Sequence, residues 1–353
     1  MESGLGMIDC LKSVLHGFLI GIANIIPGVS GGSMALALGV YERLISAVGC
    51  FGGSTLRATF GLFRFNDDAK RSFSEEWRSI DGTFLSCIAM GGAFAVLLFS
   101  KLIVWLLQFY HDPTYGFFSG LILVSILIPI KMIRKIGLPE CLSAFSAVAF
   151  VLLLTLSVDS DQQLLDANQK VEMKRSAIEQ DQKETSGQIH LSLSRAQLGR
   201  LVFFVLCGAI AISAMVLPGI SGSFIMILLG VYFEILQAVN ELNMLVIVLF
   251  SFGCVLGLLM FTRLLKKLLE RYHDSTISFL TGLMVGSLVG LWPFREFTVF
   301  GDEKVGFERV DHGWIIPPVD NNTFVTLVAF LVGSGLVVFF LKFNQLKAQK
   351  KGS

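Results

Sequence analysis

Two short runs in this chain set serine hydroxyls among glycines just behind a proline: Pro27-Gly28-Val29-Ser30-Gly31 and Pro218-Gly219-Ile220-Ser221-Gly222. Proline ends the helix before it, since it has no N–H and restricts its predecessor. The glycines let the chain turn back and let a ligand approach the backbone. Ser30 or Ser33, and Ser221 or Ser223, can cap the helix that follows. The start of such a helix carries unpaired N–H groups and roughly +0.5 of a charge from the dipole. The chemistry on offer is therefore capture of an anion, phosphate above all, by amides and hydroxyls without a buried arginine. The residues that would do it are Pro27, Gly28, Ser30, Gly31, Gly32 and Ser33 in one run and Pro218, Gly219, Ser221, Gly222 and Ser223 in the other. One run alone reads more simply as a packing kink that lets helices approach closely. Two matched runs in opposed halves favour the anion site.

A second set of residues could gate such a site or couple it to protons or sodium. Glu42, Arg43 and Glu234 follow a Gly-Val-Tyr turn in each half, and Lys101 and Arg263 occupy matching places before the two Tyr-His-Asp triplets, His111-Asp112 and His273-Asp274. Each also has a plainer reading. The first three suit interfacial helix ends, and the two cations suit snorkelling to a surface. Asp112-Pro113 and Asp274-Ser275 suit the N-cap and first position of a helix. Arg295 after Trp292-Pro293 suits an interfacial anchor. The six cysteines form no CxxC pair and sit mostly in apolar stretches, so neither a disulfide framework nor a zinc site is expected. No cofactor or metal is implied.

An enzyme reading competes. Gly28-Val29-Ser30-Gly31-Gly32 satisfies the G-x-S-x-G of a hydrolase nucleophile elbow. That elbow needs a strand before the serine, and here the preceding segment is apolar and helical. The shorter G-x-S-G is similar to that of intramembrane serine proteases, which would need a histidine at membrane depth. His16, His111, His190, His273 and His312 all read as lying outside the middle of long apolar runs. A single nucleophile also gives no reason for a second matched run.

The elements that must position these residues are membrane helices. Hydrophobic residues make up 54% of the 353 and charged residues 16%, against about 25% in soluble domains. Mean hydropathy is +0.71. A chain this apolar cannot cover a water-facing surface, so lipid is its solvent. The net charge of +1 gives no pull towards nucleic acid. Glu2 and Asp9 ahead of the first apolar run speak against a cleaved leader.

The apolar segments repeat. Gly17–Val48 aligns without gaps onto Gly208–Val239 at an offset of 191, through Pro-Gly-x-Ser-Gly and on to Gly39-Val40-Tyr41 against Gly230-Val231-Tyr232. Further on, Tyr110-His111-Asp112 with Phe117 and Gly120 matches Tyr272-His273-Asp274 with Phe279 and Gly282 at an offset of 162. Two blocks in one order indicate duplication. The predicted fold is an all-α integral membrane protein in which each half is a broken or re-entrant helix pair followed by three transmembrane helices. Whether the pair spans or re-enters, each half crosses an odd number of times, so the second half lies inverted relative to the first, the arrangement of many secondary transporters.

The first membrane repeat covers 1–158 with a polar insertion at 53–81, a polar extracytoplasmic linker covers 159–198, the second repeat covers 199–345, and a tail covers 346–353. Arg295–Asn322 reads as a further loop. Lys12, Arg43, the Arg57–Arg78 stretch, Lys131, Arg134, Lys135, Arg263, Lys266, Lys267 and Arg271 fall on one side, which places both termini in the cytoplasm.

With the doubled motif, the Gly-Val-Tyr after each copy and the repeated Tyr-His-Asp in view, nearly the whole chain resembles the bacterial membrane family first catalogued as domain of unknown function 368. The resemblance implies a multi-pass protein of the bacterial cytoplasmic (inner) membrane. It implies a polyprenyl-phosphate transporter that returns undecaprenyl phosphate to the cytoplasmic leaflet for reuse in cell-wall and surface-glycan synthesis. Its partners would be the lipid-phosphate substrate and membrane lipid, with no oligomeric state specified. The residues themselves leave open a passive anion channel, another phosphate-compound transporter and, last, an intramembrane serine hydrolase. The second motif reads Gly222-Ser223-Phe224 where the first has Gly31-Gly32-Ser33, so the two ends of the site need not be equivalent.

Overall fold

In the computed structural model the described residues are 7–25, 30–61, 66–156, 195–240, 242–302 and 306–351. Pro27, Gly28 and nearly all of the 159–198 linker lie outside them. The body of the fold is helical. The first half runs α1 (Met7–Ile25), α2 (Gly31–Ala37), α3 (Tyr41–Gly49), α4 (Gly53–Gly61), α5 (Asp67–Ser79), α6 (Gly82–Phe109), α7 (His111–Ser125), α8 (Leu127–Met132) and α9 (Leu138–Leu156). The second runs α10 (Arg195–Val216), α11 (Gly222–Leu228), α12 (Tyr232–Asn240), α13 (Met244–Arg271), α14 (His273–Gly290) and α15 (Asn321–Lys351). Among the described residues six stretches are long and apolar enough to cross a membrane: Gly82–Phe99, His111–Met132, Leu138–Thr155, Gly199–Val216, Met244–Arg271 and Asn321–Phe339. The chain is a multi-pass membrane protein.

The element order α1-α2-α3-α6-α7-α9 recurs as α10-α11-α12-α13-α14-α15, and the packing repeats residue for residue. Gly17 of α1 lies against the Ile88 carbonyl of α6, and Gly91 of α6 against the Val14 carbonyl. At the same offsets, Gly208 of α10 lies against the Phe250 carbonyl of α13, and Gly253 against the Val205 carbonyl. A Cβ at any of the four would strike backbone. Without a hydrophobic drive between helices in lipid, such small-residue contacts are what hold them together. The halves then interlock: α7 packs on α15, and α14 on α9.

Each broken pair is broken twice. After α2 and α11, Gly39 and Gly230 both take φ +70, and the chain turns into α3 and α12. Neither would meet any atom with a Cβ, so the left-handed backbone alone is what glycine serves there. Helices α6 and α13 each end at a tyrosine, Tyr110 and Tyr272, with near-identical dihedrals (φ −134 and −130, ψ 50). The following helices begin at His111 and His273, so Asp112 and Asp274 are first-turn residues and not the N-caps expected. The proline at 113 does not push the start later, because a first-turn N–H has no helical partner to lose.

Helix α14 is largely enclosed by protein: its Ile277, Leu280, Leu283 and Met284 are all fully buried. It also carries buried Thr276, Ser278, Thr281 and Ser287, and Thr281 Oγ1 returns a hydrogen bond to the Ile277 carbonyl (2.6 Å). A helix this rich in hydroxyls suits a protein-enclosed centre better than a lipid-facing wall.

Two sequence expectations change, and the polar insertion gains structure. The 53–81 insertion is two helices, α4 and α5; Asn66 caps α5 by accepting from Ala69 N, and Trp77 packs on Gly82. The segment expected as a loop from Arg295 opens with an antiparallel hairpin, β1 (Arg295–Asp302) and β2 (Gly306–Trp314), irregular between Glu296 and Phe297. Phe297, Val299 and Val310 are residues that favour extended backbone. Against the expectation of no disulfide, Cys10 and Cys87 are bonded, with their Cα atoms 6.1 Å apart. The close α1–α6 crossing brings them together across 77 residues, which no spacing rule could anticipate.

Candidate functional site

The first motif is built around Ser30, which holds an extended backbone (φ −102, ψ 133) at the N-cap of α2. Its Oγ accepts from Gly32 N at 3.1 Å and donates to the carbonyl of Leu217 at 3.2 Å. Leu217 immediately precedes Pro218 of the second motif. Tyr41 Oη donates to the neighbouring Val216 carbonyl at 3.0 Å. Val216 and Leu217 close α10, where carbonyls have no helical partner. Two side chains from the first half supply the missing donors. Gly32 completes the contact, since a Cβ there would meet Val216 O, Leu217 and Pro218. The two motif loops are therefore in direct contact at one place.

Asn24 of α1 was not singled out from the sequence. Its Oδ1 accepts from Gly31 N at 3.0 Å, and its amide fills the space a Cβ on residue 31 would take. A lone amide in an apolar run was the available signal. Ser33 is 1% exposed, and its Oγ has no hydrogen-bond partner among the described residues. Leaving a buried hydroxyl unpaired costs about 1–3 kcal/mol, so such groups call for an explanation.

The second motif is not a copy of this geometry. Ser221 has the same extended backbone (φ −96, ψ 131) but makes no side-chain cap. Gly219 takes φ +82 and sits against the Leu283 carbonyl and the Ser287 Cβ of α14. Gly222 faces the Ala211 carbonyl, and the side chain of Ser223 is outside the described set. Both short helices have only seven residues, so the local groups around the tips matter more than a long helix dipole.

The charged candidates do not gather at the tips. They form clusters near the ends of the helices. His273 Nε2 lies 3.0 Å from Glu42 Oε1, and its Nδ1 lies 3.0 Å from Asp274 Oδ1. Asp274 Oδ2 accepts from Lys135 N at 3.0 Å. Arg263 donates to the carbonyls of Gly49 (3.3 Å) and Phe51, closing the end of α3, and Lys266 Nζ lies 3.5 Å from Cys50 Sγ. Arg43 pairs with Asp81 (2.6 Å) and covers the Phe84 ring at 4.0 Å.

Elsewhere, His111 Nδ1 is 2.9 Å from Asp112 Oδ1, and its ring stacks on Tyr115 at 4.5 Å. Asp112 Oδ2 accepts from Asn322 at 2.7 Å. Glu234 pairs with Arg200 at 2.7 Å, and Lys101 is exposed. Arg295 donates to the carbonyls of Val289 (3.1 Å) and Gly290 (3.0 Å), so the expected anchor is a cap for α14. Burial pulls its pKa below the usual value, and Tyr115 acts the other way.

The partners Asp81, Lys135, Arg200, Lys266 and Asn322 were not foreseen. They are ordinary surface residues in sequence and acquire roles only by contact.

One histidine corrects the earlier reading. His16 does sit mid-helix, in α1, where it lines an apolar cavity together with Met34 and Ala37 of α2 and Leu38 just beyond it. That lining includes neither Ser30 nor Ser33. The Ser30 proton goes to the Leu217 carbonyl and not to an imidazole, so no nucleophile–base pair forms there. Among the described residues no group of three His, Cys, Asp or Glu side chains is placed to hold a metal ion.

Residues 20–309 match the model of the VCA0040-like family, described as undecaprenyl phosphate translocase-like. The chain belongs to this family. It is 33% identical over 290 residues to a polyprenyl-phosphate transporter of Vibrio cholerae, covering 82% of this chain and 80% of that protein. It is 28% identical over 290 residues to a polyprenyl-phosphate transporter of Staphylococcus aureus, covering 80% and 86%. No solved structure gives a significant match. Within this translocase-like family member, both motif loops and the Glu42–His273 cluster fall inside the matched span.

Proposed function

We propose that the chain moves polyprenyl phosphate across the cytoplasmic membrane, with the head group held where the two motif loops meet and the tail kept in the bilayer. The observation that carries this reading is the Ser30–Leu217 hydrogen bond, which joins loops from the two halves. Beside it, Ser33 offers a buried hydroxyl with no partner among the described residues. A phosphate oxygen is the acceptor such a donor lacks.

In this reading the halves are inverted, the α1–α2–α3 and α10–α11–α12 segments re-enter, and both termini are cytoplasmic. The gating arises from an inequality between equivalent contacts. Helix α3 packs along α13 of the other half, fastened by Glu42–His273 and by Arg263 on the Gly49 and Phe51 carbonyls. Its counterpart α12 makes no comparable contact with α6 among the described residues. The repeats thus close the site towards one face and leave it open towards the other. Exchanging the two arrangements provides alternating access. By the charge pattern the closed face is cytoplasmic, which leaves the site ready to load from the outer leaflet.

The test is reconstitution of the full chain in liposomes carrying labelled undecaprenyl phosphate in one leaflet. A transporter relaxes the asymmetry of the lipid, and Ser33→Ala slows that relaxation. Passage of small anions with lipid asymmetry preserved would instead identify a channel.

A further inference from the structure

We propose that a cavity of about 110 Å³ beside α2 is the berth for the isoprene unit next to the phosphate, and that its shape selects a branched prenyl chain over a straight one. This rests on reading the motif loops as the phosphate site. Helix α2 starts at the first tip and carries Met34 and Ala37 from there into the cavity wall. A head group at the tip would leave its first carbons beside that wall.

The lining is almost wholly aliphatic. Its Ser125 hydroxyl is already spent on the Leu121 carbonyl at 2.7 Å, and His16 is the one titratable group of the lining among the described residues. An engineered apolar cavity of about 150 Å³ accepts benzene, so about 110 Å³ suits a five-carbon branched unit. The rim is open to the outside of the helical body: Leu15 is 45% and Leu336 40% exposed. The remainder of a long chain can leave there into lipid.

The berth is not duplicated in kind. In the second half Cys207 stands at the position of His16, and it is 1% exposed in a small apolar cluster with Phe204 and Val231.

In lipid a tail gains nothing from leaving water, so preference must come from fit. The probe is radiolabelled farnesyl phosphate bound to the purified full-length chain in one detergent. Dodecyl phosphate, unbranched and of similar length, and inorganic phosphate serve as competitors. The wild-type chain is expected to favour farnesyl over dodecyl phosphate by at least about tenfold, the scale of one or two well-placed carbons. Ala37→Phe, which fills the cavity, and Leu336→Trp, which blocks its rim, are expected to bring the two lipids to parity while inorganic phosphate competes as before. Leu336 is on the surface, so that variant decides the matter if Ala37→Phe does not fold. Retention of the preference in Leu336→Trp, or its absence in the wild-type chain, overturns the berth and leaves the phosphate site standing. Failure of inorganic phosphate to compete at all overturns the phosphate site and the berth with it.

Discussion

Ser30 Oγ reaches the carbonyl of Leu217, 187 residues away, at 3.2 Å, so a serine of one repeat seals a helix end of the other. The same oxygen caps α2 through Gly32 N. Ser33, three residues on, does neither and is more deeply buried. The two serines should therefore separate stability from transport. Ser30→Ala should cost about 1–2 kcal/mol, a lost cap plus an orphaned carbonyl, and lower the melting temperature in detergent. Ser33→Ala should leave melting unchanged or slightly raised while slowing lipid translocation severalfold. Wild-type transport by Ser33→Ala would remove that hydroxyl from the site.

Glu42 and His273 fasten α3 to the second repeat. With carboxylates on both ring nitrogens, His273 can donate to both only as imidazolium. The pair is part-exposed (23% and 40% for the side chains), so its coupling should be modest, about 1 kcal/mol or less in a double-mutant cycle of Glu42→Gln and His273→Gln. Either change should loosen the end of α3. Native Cys50 sits there against Lys266 and reports it: its maleimide labelling, read by peptide mass spectrometry, should speed up while that of Cys141 stays constant. Equal labelling in all variants would mean that the contact is not a latch.

Glycine contacts give a graded stability series. Gly17→Ala and Gly208→Ala drive a Cβ into a helix carbonyl and should each cost about 1–3 kcal/mol, with lower yields of folded protein. Gly39→Ala meets no atom but must adopt φ +70, at about 1–2 kcal/mol. Gly335→Ala in α15 meets nothing and is not strained, so it should be neutral or stabilising by about 0.5–1 kcal/mol. Thermal unfolding monitored in detergent ranks them; Gly335→Ala falling among the damaging variants would contradict the packing described.

The proposed alternating access requires a contact that this conformation does not contain. Lys101 occupies in α6 the place of Arg263 in α13, and Asn240 and Leu242 stand where Gly49 and Phe51 stand. In the opposite state Lys101 should reach the carbonyls at the end of α12. A disulfide between Lys101→Cys and Leu242→Cys should form during turnover and arrest transport until reduced. Its absence in protein that is actively transporting would rule out the exchange of repeats.

The sequence alone determined the class of molecule and its duplication. Composition forces lipid as solvent, and proline, glycine and serine dictate local backbone whatever surrounds them, so the breaks before Ser30 and Ser221 and the repeat of Gly39 at Gly230 were legible without coordinates. What surrounds those breaks was decided only by the tertiary structure, because it depends on pairs far apart in the chain. Examples are Ser30 on Leu217, Asn24 under Gly31, Glu42 on His273, Cys10 bonded to Cys87, and α3 on α13 without a comparable α12–α6 contact among the described residues. A repeat read from sequence is symmetric by construction. In the folded chain α3 packs on α13 while α12 has no comparable contact with α6 among the described residues, and that difference is a property of contacts and not of residues.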